Sequence, residues 1–137
     1  AGSDVVDHQI VTMEREDGST TTLTMHGHAA EESRTMRYDG TRGTLRARFG
    51  ARPEITVQLH GQSGARAIDI PQASGGHGGG DSGLIAAFVD AVRDGTPTRT
   101  TGASALESHL LAFAAEESRL SGTSVDITER RRHLRID

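Results

Sequence analysis

The chain is predicted to be an α+β domain, an open, mostly antiparallel sheet of about six strands with two helices packed on one face. Three observations predict it. Six short segments between positions 8 and 70 alternate apolar and polar residues with period two. Turns rich in Gly and Asp separate them, and two segments with helical spacing follow, each ended by a glycine. Strands first and helices afterwards is the order of an α+β domain whose helices are segregated to one side.

The first two strands read as a hairpin. Val11 and Met13 alternate with Thr12 and Glu14, Asp17-Gly18 supplies the turn, and Leu23 and Met25 alternate with Thr22 and Thr24. In the next pair, Met36 and Tyr38 lead through Asp39-Gly40-Thr41-Arg42-Gly43 to Leu45, Ala47 and Phe49. Ile55, Val57 and Leu59 mark a fifth strand, and Ile68 and Ile70 a sixth, stopped by Pro71. The opposite faces of these strands are rich in Thr, Arg and His, and no element is left over to cover them. That face is open to a second subunit or another domain.

The run Gly75-Gly76-His77-Gly78-Gly79-Gly80-Asp81 places five of the chain's 17 glycines around one histidine. It leads into a helix beginning near Asp81 or Ser82 and stopping at Gly95, with Leu84, Ile85, Phe88, Val89 and Val92 on a face expected to be buried. A second helix is expected from a capping box, Ser104-x-x-Glu107, to Gly122, with Leu106, Leu110, Phe113 and Ala114 on its apolar side. Val125 and Ile127 suggest a last short strand.

With 137 residues the chain is long enough for one domain with one core, taken as residues 4–137; Ala1-Gly2-Ser3 has the look of an expression scar. A net charge of -4 gives no reason to expect nucleic acid or an anionic membrane as partner, since both need a basic footprint. No run is long and apolar enough for a spanning helix and no signal-peptide pattern opens the chain, so a cytoplasmic location is expected. There is no cysteine, and all 15 basic residues are arginines. Thiolate chemistry, Schiff bases and ammonium acids are therefore excluded. The basic run Arg130, Arg131, Arg132 and Arg135 reads as a solvated or partner-contacting end.

Few residues suggest chemistry. His77 is the foremost candidate for ligand contact, because glycines leave its surroundings open, and Asp81 beside it suits a helix cap. Asp4, Asp7 and His8 form a compact polar group in which a carboxylate can fix an imidazole tautomer; a strand-entry hydrogen-bond cluster is the plainer reading. His26 and His28 have a spacing two metal ligands can use, but no third or fourth ligand is suggested nearby, so no metal is expected. A Ser82-His77-Asp81 triad lacks the strand-turn-helix setting of a nucleophile. Glu116 and Glu117 are adjacent and cannot face each other as an acid/base pair. His109 reads as a satisfied core or interface residue. No catalytic set is complete.

Four segments in order carry a resemblance: Asp4-Val5-Val6-Asp7-His8-Gln9, Arg37-Tyr38-Asp39-Gly40-Thr41-Arg42-Gly43-Thr44-Leu45, Gly76-His77-Gly78-Gly79-Gly80-Asp81, and the helix from Ser108 through His109, Leu110 and Phe113 to Arg119. Together they resemble the C-terminal domain of the Gfo/Idh/MocA oxidoreductases, the glucose-fructose oxidoreductase and inositol dehydrogenase family. The resemblance runs from about Asp4 to Ile127. It implies the substrate-side and oligomerisation domain of an NAD- or NADP-dependent oxidoreductase acting on a sugar or polyol, with the N-terminal Rossmann domain absent from this chain. It also implies homo-oligomers formed through the open sheet face.

The family's phosphate loop and E-K-P lysine have no counterpart here, so the chain alone is expected to be inactive and to hold no cofactor. His77, Asp81, Asp7 and His8 are expected at the edge of the substrate pocket. Two other readings stand beside this one: a non-enzymatic dimerisation module, and a glycosidase-like relative that uses bound NAD.

Overall fold

Five of the six alternating segments between positions 8 and 70 form strands of six or seven residues, and the sixth contributes a strand of two. The computed structural model describes residues 2, 5–71, 79–96 and 100–134. It contains β1 (His8–Glu14), β2 (Thr20–His26), β3 (Arg34–Gly40), β4 (Gly43–Phe49), β5 (Glu54–Leu59) and β6 (Arg66–Ala67), followed by α1 (Gly80–Asp94), α2 (Gly102–Ser121) and α3 (Ile127–Leu134). The chain is α+β, and its strand pairings are all antiparallel. The six strands divide between two sheets, a β1–β2 hairpin and a four-stranded meander in the order β3-β4-β5-β6. Two compact units result, Ala1–Ser74 with the strands and Gly75–Asp137 with the helices.

Local chemistry accounts for the turns. Asp17 Oδ1 accepts the Ser19 amide at 2.9 Å, and Gly18 takes a left-handed φ of 77° that few other residues tolerate. The β1–β2 register therefore sets Val11 opposite Leu23 and His8 opposite His26. Between β3 and β4 only Thr41 and Arg42 remain in the loop, with Gly40 opposite Gly43. A Cβ on Gly43 would stand 2.2 Å from the Gln58 carbonyl oxygen, so glycine is what lets β4 and β5 meet there.

The centre of the meander is β4, where Ala47 is buried and Leu45 is half-buried, beside Ile55 and Val57 of β5. The sixth strand is shorter than its alternation suggested. Ile68 still donates its amide to Ile55, but Ile70 lies beyond the ladder.

Capping decides the helix ends. α2 begins three residues earlier than expected because Thr101, not Ser104, is its N-cap: the Ser104 amide donates to Thr101 Oγ1 at 3.1 Å and the Thr101 amide to Ser104 Oγ at 2.9 Å. Ser104 thus fills the place usually held by Glu, and Glu107 is left for another partner. Gly95 and Gly122 close α1 and α2 in left-handed conformations, as their positions suggested.

Two expectations are overturned. The last strand expected at Val125 and Ile127 is instead the start of α3. Asp126 Oδ1 accepts the amides of Thr128 at 2.8 Å and Glu129 at 3.2 Å, and this side-chain cap turns the backbone into a helix. The apolar face of α1 is also not buried. No residue of that helix is, and Phe88 is 63% exposed. Helical periodicity reports that a face needs covering and says nothing of what covers it. Among the described residues the buried apolar set is Ala47, Leu110 and Ala114.

Candidate functional site

The richest grouping of reactive side chains lies at the end of the β1–β2 hairpin. Asp7 precedes β1 and His28 follows β2 by two residues, and the register that sets His8 against His26 brings both ends together. The Gly27 amide donates to the Asp7 carbonyl and locks this corner. A Cβ on Gly27 would stand 3.0 Å from that same oxygen, a tight contact that the corner would have to loosen slightly to admit.

One carboxylate serves two imidazoles here. His8 Nδ1 donates to Asp7 Oδ1 at 2.7 Å, and His28 Nε2 donates to Asp7 Oδ2 at 3.3 Å. The His8 hydrogen bond, and after it that of His28, hold the Asp7 carboxyl below its ordinary range. Fixing the proton on His8 Nδ1 leaves the Nε2 lone pair of the neutral ring to accept a hydrogen bond or a proton. The His8 side chain is 79% exposed, so that nitrogen is accessible to a ligand. The Asp7–His8 hydrogen bond fits both the tautomer-fixing pair and the strand-entry cluster read from the sequence.

The other expected residues fall elsewhere. His77, Gly75, Gly76, Gly78 and Asp4 lie outside the described residues. Asp81 sits in the first turn of α1, in the second unit, and the helix cap is Gly79 rather than Asp81. The Ser82 hydroxyl donates to the Gly79 carbonyl at 3.1 Å, a turn-closing bond and not a nucleophile's setting. His26 ends β2 while His28 lies in the turn beyond it, so the two do not share a strand face. Among the described residues no group of three or more His, Asp or Glu is placed to hold a metal ion. His109 donates Nδ1 to the Ala105 carbonyl at 2.8 Å and tilts against the Phe113 ring.

Sequence reasoning missed the contact of His28 with Asp7, which the hairpin register alone could have revealed. Two members of the arginine run have partners within the chain: Arg130 pairs with Glu117 and Arg131 with Glu107, so these two side chains link α3 to α2. Glu116 in turn pairs with Arg119 at 2.6 Å, which separates it from its neighbour Glu117 in role.

Two open depressions lie elsewhere among the described residues. One, of about 430 Å³, crosses β3, β4 and β5 beside Arg37, Arg46, Arg48 and Glu54. The other, of about 560 Å³, lies where the end of α2 meets α3. Neither contains a carboxylate–imidazole pair like that of Asp7 and His8 among the described residues. No helix among them is long and apolar enough to cross a membrane. No family model, curated protein or solved structure matches the chain.

Proposed function

We propose that this chain is the substrate-side and oligomerisation domain of an NAD- or NADP-dependent oxidoreductase that acts on a sugar or polyol. The observation that carries the reading is the ordered set of four segments resembling the Gfo/Idh/MocA C-terminal domain, borne on an antiparallel α+β chain. The unburied apolar face of α1 fits a domain that packs against a further body such as a Rossmann domain.

The dinucleotide finds no seat in this chain's own residues. There is no lysine, and the glycine run follows Pro71 rather than a strand and lacks the spacing of a phosphate-binding turn. Cofactor binding and the hydride step therefore belong to the Rossmann partner. What this chain contributes is hydrogen bonding to the substrate. His8, held by Asp7 with Nε2 outward, is suited to accept a hydroxyl hydrogen at the pocket edge. The sequence also offers Asp81 and His77 as candidates for substrate contact.

A second reading, a non-enzymatic association module, is favoured by the exposed β3 strand and the same exposed helix face. One experiment separates them. An immunoblot of source cells, with an antibody raised against this chain, supports the oxidoreductase if the native product runs on the order of 35 to 45 kDa, room for a Rossmann domain. A product the size of this chain overturns it in favour of the association module.

A further inference from the structure

We infer that β3 pairs antiparallel with β3 of a second copy of this chain, with Tyr38 on the two-fold axis and Arg37 of each copy bonded to Asp39 of the other. The inference does not rest on the oxidoreductase reading, and it concerns an edge of the sheet rather than its face. β3 ends the order β3-β4-β5-β6, and no strand lies on its outer side among the described residues. All seven of its residues are exposed. It contains no proline, and its pairing with β4 runs without a bulge from Arg34 to Gly40, so its outer backbone groups can serve as a pairing template provided its charges, Arg34, Arg37 and Asp39, are matched by the partner.

The side chains select the occupant and the register. Residues 37 and 39 lie on one face of the strand and 36 and 38 on the other, so registers that shift by an odd number set apolar side chains against polar ones. Centring the pair on Arg37 sets two guanidinium groups against each other. Centring it on Met36 sets Arg37 against Thr35 and Asp39 against Ser33, where no charges match. Centring it on Tyr38 sets Arg37 against Asp39 twice, places the two tyrosine rings side by side, and lays Met36 over Gly40, which has no side chain to obstruct it.

The register also suits Arg37. Its neighbour across β4 is Arg46, a like charge, and its ion pair is with Asp39 of its own strand at 2.8 Å. Exchange of that pair between two copies keeps every charge matched. Tyr38, 61% exposed, would lose its open side to the symmetric ring.

The test is a charge swap read by sedimentation equilibrium on the full chain, with circular dichroism as the folding control. The wild type is expected to dimerise. Arg37→Asp and Asp39→Arg are each expected to weaken the dimer about tenfold or more, since each sets two like-charged pairs across the axis. The double variant carrying both changes, and an equimolar mixture of the two single variants, are each expected to recover dimerisation. A wild type that stays monomeric at about 100 µM, where a pair with a micromolar Kd is almost wholly associated, would overturn the inference. So would a dimer indifferent to both single changes, or a folded double variant that stays monomeric.

Discussion

Arg131 grips Glu107 at two points across 24 positions of sequence, Nε donating to Oε1 at 2.8 Å and Nη2 to Oε2 at 2.6 Å. This two-point contact, with Arg130 on Glu117, ties the short and very polar α3 to α2. A helix of eight residues has little stability of its own, so its tether decides whether it forms.

The guanidinium of Arg131 holds the Glu107 carboxyl below its ordinary value of 4.5. A depressed folded-state value contributes stability above the unfolded value, lost as pH falls through the folded one. Amide protection in residues 127–134 is therefore expected to fall as the pH drops below 4.5, ahead of that in residues 102–121. Glu107→Gln should reduce this acid dependence, and Arg131→Lys should keep the charge but lose the two-point geometry. Hydrogen exchange followed across pH checks both.

Asp7 is expected to titrate below its ordinary 3.8, because two imidazoles donate to its carboxylate. His8→Ala should raise the Asp7 value more than His28→Ala does, since the His8 bond is the larger cause, and the double variant should bring it back to the ordinary range. The sign is again that of a depressed carboxyl: the cluster supports the fold above 3.8 and stops doing so as pH falls through the lowered value. Carbon NMR of a labelled Asp7 carboxyl reads the order directly. Equal shifts from the two single variants would contradict the geometry.

Two glycines are expected to respond oppositely to alanine. At Gly43 the added carbon meets the Gln58 carbonyl oxygen at 2.2 Å and the Leu59 Cα at 2.9 Å, both backbone atoms that cannot step aside. Gly43→Ala should cost about 1–3 kcal/mol, the usual penalty for forcing atoms into a filled space. At Gly83, inside α1, a Cβ meets nothing within 4 Å, and Gly83→Ala should raise helix stability by about 0.5–1 kcal/mol. Denaturant melts of both variants make the comparison.

The cap of α2 gives a fourth expectation. Thr101→Ala removes the acceptor of the Ser104 amide and should cost about 1 kcal/mol, with fraying confined to the first turn. Thr101→Asn or Thr101→Asp should restore most of it. If the helix began at Ser104 with Glu107 as its box partner, Thr101→Ala would be silent, so the thermal melt also decides between the two caps.

Legibility differed by the range over which each feature is built. The β1–β2 turn followed from Asp17-Gly18, and the ends of α1 and α2 from Gly95 and Gly122, because these signals act on their own backbone within a few residues. The start of α3 was readable in the same way from Asp126, whose side chain caps it, but the apolar alternation of Val125 and Ile127 drew the eye to a strand. The place of Glu107 depended on Thr101 and Ser104 having already satisfied each other. Of the expected pocket residues, Asp7 and His8 are adjacent and their bond is local. Asp81 belongs to a different unit.

By itself the sequence determined the α+β class, the six strands, the glycines that end the helices and the carboxylate beside His8. Each is set by periodicity or by chemistry between near neighbours. Only the tertiary structure decided that the strands divide into two sheets, that His28 joins Asp7, that Arg130 and Arg131 tie α3 to α2, and that β3 ends its sheet among the described residues. Those features depend on hairpin register and on which distant side chains meet, and pairings of that kind are energetically close enough that local pattern does not distinguish them.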